Sequence, residues 1–544
     1  MPVANLISVL GLVALLGLAW ALSYHRREVK LRPVVWGLGL QFLFALIILR
    51  EDVLSFIGMA VFGGLLIVYM TLRFEAGSSN WPRVGVFLAG AFAAAAVLYY
   101  LDSSVSASAF WLVLVALVAN SRFRLVPKLQ LPLQVLVISI VVAWLTSQGM
   151  HGQRIFQAAS IRVTGFLNLS DYGARFLFGN LASPQHWATG DGSPWPGFGV
   201  QFAFRVLPTI VFFGGFMSVL YYLGIMSRLI ETLARFMRWT LGTSGAETMS
   251  CSANIFVGQT EAPLLVKPFL AGMTRSELLT VMVGGFATIA GGVLAGYIAF
   301  GVPAGHLIAA SVMSAPAALV VGKIIYPERE KSETSGDISL PEIDSGDNLI
   351  EAATNGISDG LRLAVNVGAM LLGFIALIAV VDVVLSFLDG LIDGRLLDGS
   401  YVQYGAQSLS PVTGEYEGFF PGSLQKLFGV LLSPLAWLMG VPWADASKVG
   451  NLLGVKLSLN EFVAFGTLGS YIQAGELSDR AVIISTYALC GFANFSSIGI
   501  QIGGISAVAP QRKATLAKLG LKAMCGGAIA SWLTATIAGM LIPA

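Results

Sequence analysis

The sequence predicts an all-α polytopic membrane protein of about twelve spans, organised around an inverted repeat of a re-entrant hairpin plus a broken transmembrane helix. The first reason is composition, since 56% of the 544 residues are hydrophobic and only 11% are charged. Roughly a quarter of the residues of a soluble domain are charged. The second reason is that two short peptides recur at one fixed separation. We therefore expect a multi-pass protein in the lipid bilayer of the cell membrane, and the net charge of +2 does not indicate a nucleic-acid partner.

The amino-terminal part of the chain predicts a series of simple spans. Apolar runs of about 20 residues, the length that crosses a bilayer, give two transmembrane helices in residues 1–50 and extra transmembrane helices in residues 51–153. The loop at 24–32 is rich in Arg and Lys, so it is predicted to be cytoplasmic, with the amino terminus outside. The basic loops at 73–83 and 122–128 also fall inside on this count.

The rest of the chain alternates spans with interrupted segments. Gly258, Pro263 and Pro268 interrupt an apolar stretch and favour a re-entrant hairpin over a plain span. The predicted divisions are 154–242 with interfacial helices and a scaffold span, 243–326 with a hairpin and two spans, 327–350 as a flexible cytoplasmic linker, 351–442 with a scaffold span and an outer-surface segment, and 443–544 with a second hairpin and two spans.

Two peptides recur at the same separation. Asn254-Ile-Phe-Val257 returns as Asn460-Glu-Phe-Val463, an offset of 460 − 254 = 206 residues. Gly285-Phe-Ala-Thr288 returns as Gly491-Phe-Ala-Asn494 at the same offset. The alternative is coincidence among common membrane residues. Because an odd number of predicted spans separates the copies, the second copy has the opposite orientation, which is typical of a secondary transporter and favours one over a channel or a membrane enzyme.

Polar residues inside the interrupted segments predict a binding site. Glu261 follows Gln259 and Thr260, and a carboxylate at membrane depth is costly unless it has a partner or a wet cavity. The second hairpin supplies Glu461, and the second broken span supplies Asn494. Two carboxylates with amides and hydroxyls suit a neutral, polyhydroxylated ligand that also has amide-like edges, and they do not suit an anion.

Several of these residues also have structural explanations. The alternatives are helix capping for Glu261 and Glu461, satisfaction of open backbone at hairpin tips for Asn254 and Asn460, bonding within their own helix for Ser496 and Ser497, and packing for Phe492. The sequence has no His or Cys pair at metal-ligand spacing, no ATP-binding loop and no catalytic motif. An enzyme is therefore not expected, and an ion gradient is the expected energy source.

Four motifs resemble the concentrative nucleoside transporter family. They are Gly258-Gln-Thr-Glu-Ala-Pro-Leu-Leu-Val-Lys-Pro268, Ala309-Ala-Ser-Val-Met-Ser-Ala-Pro316, Asn460-Glu-Phe-Val-Ala464 and Gly491-Phe-Ala-Asn-Phe-Ser-Ser-Ile-Gly499. The resemblance implies a homotrimer that imports nucleosides with Na⁺ or H⁺ and moves a transport domain past a fixed scaffold, as an elevator does. A passive nucleoside facilitator or channel, and an ion-coupled symporter of another small polar solute, stay open as alternatives.

The resemblance also implies a role for individual residues. Gln259, Thr260 and Glu261 would face the nucleobase between the apolar walls Val293 and Phe492, Glu461, Asn494 and Ser497 would hold the ribose, and Asn254, Thr288 and the carbonyls of Val257 and Ile289 would bind sodium. The chain departs from the family in two places. Residues 51–153 have no counterpart in the minimal bacterial core and are expected to form a peripheral scaffold, and many relatives have Ser at the position of Thr288.

Overall fold

The computed structural model describes residues 3–74, 81–100, 103–123, 126–183, 202–334, 346–403 and 412–542, and it is mainly helical. The first helices are α1 (Val3–Ala21), α2 (Leu31–Leu49), α3 (Val53–Phe74), α4 (Trp81–Tyr99), α5 (Ser103–Phe123), α6 (Gln130–Ser147), α7 (Gly152–Leu167), α8 (Ser170–Phe178), α9 (Phe202–Tyr222) and α10 (Ile225–Leu241). The middle helices are α11 (Gly245–Ala253), α12 (Glu261–Leu264), α13 (Lys267–Leu270), α14 (Arg275–Ala287), α15 (Gly291–Ala299), α16 (Ala304–Ile325) and α17 (Leu349–Asp389).

The last part begins with a π-helical segment and a small antiparallel hairpin of two strands. These elements are Gly390–Leu396, β1 (Tyr401–Gln403) and β2 (Gly414–Tyr416). The remaining helices are α18 (Leu424–Leu438), α19 (Trp443–Ser458), α20 (Glu461–Gln473), α21 (Asp479–Leu489), α22 (Phe495–Val508) and α23 (Lys513–Leu541). Short 3₁₀ turns lie at Arg26–Glu28, Pro127–Leu129, Gly179–Ala182 and Pro510–Arg512.

The helix lengths confirm an all-α polytopic membrane protein. Within the described residues, 8 helical segments are long and apolar enough to cross a membrane, or 9 if α18 and α19, which meet at a bend of 116°, count as one span. Shorter apolar helices lie at Asn5–Ala21, Trp81–Val97, Ser108–Asn120 and Phe495–Val508. The predicted total of about twelve is reached only when these shorter helices are included.

The chain divides into two compact units. The smaller unit, Phe42–Ala159, contains α3 to α6 and has an apolar core around Ile67, Ala91, Leu131 and Val135. The larger unit, formed by Met1–Gln41 and Ser160–Ala544, contains both interrupted segments and every candidate site residue.

The buried centre of the larger unit is formed by α14, α16 and α23. In the α16 span 89% of the residues are buried, compared with 22% in the α9 span. The α9 helix packs instead along α17, and a Cβ added at Gly214 would lie 2.7 Å from the carbonyl oxygen of Gly356. Glycine at this crossing lets the two backbones approach closely.

The first hairpin is interrupted after one helix. Its first arm, α11, ends at Ala253, and the chain is then non-helical up to Thr260. Its return consists of α12 and α13, which are 4 residues long each. Pro263 and Pro268 lack backbone N–H donors and prevent one continuous helix, which explains the interruption that the sequence predicted.

The second hairpin and the two broken helices repeat this order. The arms α19 and α20 meet at Leu459 and Asn460, and residues 490–494 separate α21 from α22 as residues 288–290 separate α14 from α15. Gly491 has a φ of +141°, and a Cβ there would lie 2.6 Å from the carbonyl oxygen of Phe286. Only glycine fits this conformation and this close approach, so the breaks of the two halves touch.

A buried ion pair anchors the base of the first hairpin. The Glu247 carboxylate on α11 and the Lys323 ammonium on α16 lie 2.7 Å apart, and both side chains are almost inaccessible. Removing Lys323 would leave the Glu247 carboxylate as a buried charge without its cation, which is strongly destabilising. The pair therefore fixes α11 against α16.

The start of the predicted flexible linker at 327–350 is packed instead. Ser332 and Thr334 are buried, and their hydroxyls donate to the Glu277 carboxylate at 2.6 Å and 3.1 Å. The structure differs from the prediction here because a buried carboxylate on α14 needs hydrogen-bond donors, and this polar segment provides them. Residues 335–345 lie outside the described residues.

Candidate functional site

Side chains from the two halves of the repeat meet at the broken helices. The Gln259 Nε2 of the first hairpin donates to the Ser497 Oγ of α22 at 3.1 Å. The Tyr297 hydroxyl of α15 donates to Glu461 Oε1, in the second hairpin, at 3.2 Å. Each hairpin therefore contacts the broken helix of the opposite half, which brings the predicted site residues of both halves together.

Glu461 is a buried carboxylate with neutral donors around it. It is the first residue of α20 and is only 5% exposed, and Asn494 Nδ2 donates to its Oε2 at 3.3 Å. The Tyr297 ring that supplies the other donor stacks on Phe465, with centroids 4.2 Å apart. A carboxylate has about four lone-pair positions, so these two side-chain donors leave acceptor capacity for a hydroxyl group of a ligand.

Asn494 caps α22 and has a fixed orientation. Its Oδ1 accepts from the Ser497 backbone N–H at 2.9 Å and from the Ser496 hydroxyl at 2.7 Å. Because the oxygen is used by these donors, the Nδ2 atom points to Glu461. Asn494 therefore both caps α22 and donates a hydrogen bond in a fixed direction to Glu461. The Ser496 hydroxyl bonds to the Asn494 side chain rather than to a preceding carbonyl in its helix.

The remaining candidates lie on the same segments of the chain. Thr260 packs on α22, where a Cβ added at Gly504 would lie 3.1 Å from Thr260 Cγ2. Glu261 is exposed at the start of α12, unlike the buried Glu461. Val293 is buried in α15, and Phe492 is half-buried in the second break.

Asn460 has a structural role as a helix cap. It is the N-cap residue of α20, and its Oδ1 accepts from the Val463 backbone N–H at 2.9 Å. Between the two explanations that the sequence left open for Asn460, the geometry favours capping.

Replacing Asn460 with Ala is expected to lower the stability of the second hairpin by about 1 kcal/mol, because α20 loses its N-cap. Thermal unfolding of the detergent-purified protein checks this, and Asn460→Ser, which keeps a capping oxygen, is the matched control. A lower ligand affinity of Asn460→Ala with an unchanged unfolding temperature would contradict the structural role.

Two of the predicted cation residues, Asn254 and Thr288, lie close to Gly284 of α14. A Cβ added at Gly284 would lie 3.3 Å from Asn254 Nδ2, and Thr288 bonds to the Gly284 carbonyl. Asn254 is fully buried, its Nδ2 donates to the Ser250 carbonyl at 3.1 Å, and its Oδ1 has no hydrogen-bond partner among the described residues. The Phe256 carbonyl accepts from the Gly291 N–H at 3.1 Å, which joins the tip of this hairpin to α15.

Neutral side-chain oxygens are available at this place. Thr288 Oγ1 donates to the Gly284 carbonyl at 2.9 Å, so its oxygen lone pairs stay available. Thr288 and Ile289 lie at the carboxyl end of the half-helix α14, where cations are favoured. Within the described residues no cluster of three or more His, Cys, Asp or Glu side chains could hold a metal ion. Asn254 Oδ1 is a neutral, buried oxygen without a hydrogen-bond partner in the same part of the chain.

Three polar residues of this region were not predicted from the sequence. Tyr297 binds Glu461, Gln501 binds Gln259, and the fully buried Lys456 donates to the Ala488 carbonyl at 2.9 Å. Gln501 lies four residues after Ser497 in α22, and this spacing places both on one helix face. Lys456 is a charged residue in an apolar stretch, and a charge at membrane depth indicates a functional position.

Three family models match the sequence. They are described as "Na+ dependent nucleoside transporter C-terminus", over residues 306–539, "Nucleoside recognition", over residues 203–304, and "Na+ dependent nucleoside transporter N-terminus", over residues 10–65. Together they cover the broken helices and both hairpins.

Individual proteins show the same similarity. The chain is 43% identical over 392 residues to the uncharacterized transporter YutK of Bacillus subtilis, which covers 72% of this chain and 87% of that protein. It is 42% identical over 401 residues to the sodium/nucleoside cotransporter 1 of Sus scrofa, covering 71% of this chain and 56% of that protein. The solved structure of CNTnw in an inward-facing substrate-bound state matches with a TM-score of 0.70 and 33% identity, covering 99% and 98% of the two chains.

Proposed function

This chain belongs to the concentrative nucleoside transporter family, and we propose that it imports nucleosides across the cell membrane together with a cation, Na⁺ or H⁺. It is a multi-pass membrane transporter and not an enzyme. The observation that carries the proposal is the pairing of each hairpin with the broken helix of the opposite half, through Gln259 with Ser497 and Tyr297 with Glu461.

The nucleoside is held by residues of both halves. Gln259, Thr260 and Glu261 bind the edge of the base between Val293 and Phe492. Glu461, Asn494 and Ser497 bind the ribose, since the buried carboxylate of Glu461 keeps free acceptor positions beside a fixed amide donor. Both a base with amide edges and a sugar with hydroxyl groups are matched in this way.

The cation and the nucleoside are coupled through the tip of the first hairpin. Na⁺ binds to Asn254, Thr288 and the carbonyls of Val257 and Ile289, and it is carried with the nucleoside. Gln259 follows Val257 by two residues, so a cation that orders this tip also orders the base-binding segment. By linkage, the nucleoside raises the affinity for Na⁺ by the same factor as Na⁺ raises the affinity for the nucleoside.

Transport proceeds by alternating access of an elevator type in a homotrimer. The CNTnw protein has been solved in inward-facing and outward-facing states, which supports alternating access. The buried helices α14, α16 and α23 carry the hairpins past α9 and α17, which form the scaffold.

Leu372 and Val380 of α17 are 78% and 61% exposed, a surface that suits contact with lipid or with other copies. Native mass spectrometry tests the trimer, and a single-copy mass would contradict it.

Proteoliposomes that contain the protein are expected to accumulate uridine or adenosine above the outside concentration when a Na⁺ or H⁺ gradient is imposed. Uptake of radiolabelled nucleoside with each gradient, and with both dissipated, measures this directly. Liposomes without protein are the control. The absence of gradient-dependent accumulation of every nucleoside tested would overturn the proposal.

The same assay separates the alternatives. A passive facilitator or channel equilibrates nucleoside without accumulating it, because it has no coupling to the ion. A symporter of another small polar solute accumulates that solute, and unlabelled nucleoside does not compete with it.

A further inference from the structure

We propose that Gln501 is a positioning residue that sets which atoms of Gln259 and Ser497 donate hydrogen bonds to the nucleoside. This inference rests on the proposed function, because it takes Gln259 and Ser497 as ligand-binding residues. Gln501 lies in α22, is 1% exposed and touches both the first hairpin and α14.

A backbone carbonyl of α14 fixes the orientation of the Gln501 amide. Gln501 Nε2 donates to the Met282 carbonyl oxygen at 3.2 Å. A carbonyl oxygen only accepts hydrogen bonds, so the amide atom that faces it must be the nitrogen. The reversed amide would place two acceptors against each other. The backbone of α14 therefore decides the orientation of a side chain on α22.

The orientation of the Gln501 amide in turn fixes the orientation of the Gln259 amide. The same Gln501 Nε2 donates to Gln259 Oε1 at 3.1 Å. Both N–H groups of Gln501 are then in use, and each is a donor, so the facing atom of Gln259 must be its oxygen. The Gln259 amide nitrogen consequently points the other way, where it donates to Ser497 Oγ at 3.1 Å.

Gln259 and Ser497 each keep one hydrogen that can be donated to the nucleoside. Gln259 Nε2 has a second N–H beyond the one that Ser497 accepts. Ser497 accepts with its oxygen, so its own hydroxyl hydrogen is free to donate. The residues from Met282 to Ser497 thus present a donor at Gln259 toward the base and a donor at Ser497 toward the ribose, and the donor at Gln259 selects nucleosides whose base edge offers an acceptor there.

Room for this arrangement is provided by one glycine of α14. A Cβ added at Gly285 would lie 2.6 Å from Gln501 Nε2 and 3.0 Å from Gln259 Cβ. Gly285 therefore allows both glutamines to lie against the helix. A methyl group at this position would displace the Gln501 amide, which is the far end of a flexible side chain, and would also press on Gln259 Cβ.

The test compares two nucleosides whose base edges have opposite donor and acceptor groups, uridine and cytidine. The ratio of their apparent affinities is measured by ligand-induced thermal stabilisation of purified protein and by competition for uptake into proteoliposomes. The wild-type protein is expected to discriminate between the two. In Gln501→Met the Gln259 amide is free to reverse, and the ratio is expected to move toward one by about threefold to tenfold, which corresponds to one hydrogen bond.

Two further variants keep the result interpretable. Gly285→Ala displaces the same amide and is expected to shift the ratio in the same direction, and Gln501→Leu takes the place of Gln501→Met if that variant does not fold. Ile500→Met, an exposed neighbour on the same helix, is expected to leave the ratio unchanged.

The outcomes for this inference and for the proposed function are distinct. If the wild-type protein neither binds nor accumulates a nucleoside, the proposed function is wrong. If it binds uridine and cytidine equally well, or if folded Gln501→Met and Gly285→Ala keep the wild-type ratio, the positioning role of Gln501 is overturned and the proposed function stands.

Discussion

Replacing Glu461 with Gln is expected to lower the apparent affinity for nucleoside by about tenfold to a hundredfold. Removing a hydrogen bond to a charged group costs about 1.5–3 kcal/mol, and each 1.4 kcal/mol is tenfold in affinity. The fold is expected to survive, because the Tyr297 hydroxyl can rotate to accept from the new amide, while Asn494 still has an oxygen to donate to. Uptake at varied nucleoside concentration gives the apparent affinity and the maximal rate.

The matched control for this variant is Tyr297→Phe. It removes one donor to the carboxylate but keeps the ring that stacks on Phe465, so a smaller loss is expected than for Glu461→Gln. Unchanged affinity and rate in Glu461→Gln would argue against the role of Glu461 in binding the ribose.

Replacing Asn254 with Ala is expected to raise the Na⁺ concentration needed for half-maximal uptake by more than about tenfold, which corresponds to a loss of about 1.4 kcal/mol or more in binding free energy. The reason is that Asn254 Oδ1 is a buried acceptor without a hydrogen-bond partner in the described part of the chain. At low Na⁺ the apparent affinity for nucleoside is expected to fall as well, since the two sites are linked. Uptake measured over a Na⁺ titration, with the ionic strength kept constant, checks both effects.

Ser250→Ala is the control for Asn254→Ala. Ser250 is also buried in α11, and its substitution keeps the backbone carbonyl that accepts from Asn254. The Na⁺ dependence of Ser250→Ala is expected to match that of the wild type. If Asn254→Ala retains the wild-type Na⁺ dependence, the assignment of the cation site is wrong, and coupling to H⁺ becomes the remaining form of the proposal.

The sequence predicted the parts of the fold that depend on local patterns. Hydropathy predicted the spans, and the proline positions predicted the interrupted return of the first hairpin, because both effects act through neighbouring residues. The repeat at 206 residues predicted that a second hairpin and a second broken helix exist, and it correctly located Glu461 and Asn494 in them. The family assignment and the membrane location were also predicted and are confirmed by the relatives.

What the sequence did not predict depends on which helix faces which. Tyr297 is one hydroxyl in an apolar helix, and only the packing of α15 on α20 brings it to Glu461. Gln501 had a usable signal in its spacing from Ser497, yet its contact with Met282 requires α14 to lie beside α22. The packing of Ser332 and Thr334 on Glu277 was missed because a polar composition does not reveal a buried partner.

The contact between the two breaks has a consequence for leakage. Gly491 lies against the carbonyl of Phe286 with no room for a methyl group, so the two half-helix ends cannot slide apart without opening a void in a tightly packed interior. In a transporter that works as proposed, the cation-binding residues and the ribose-binding residues then move together as one rigid unit. The packing between Gly491 and Phe286 then suppresses slippage, in which the ion crosses the membrane without a nucleoside. The stoichiometry of transport is protected by this packing rather than by a separate gate.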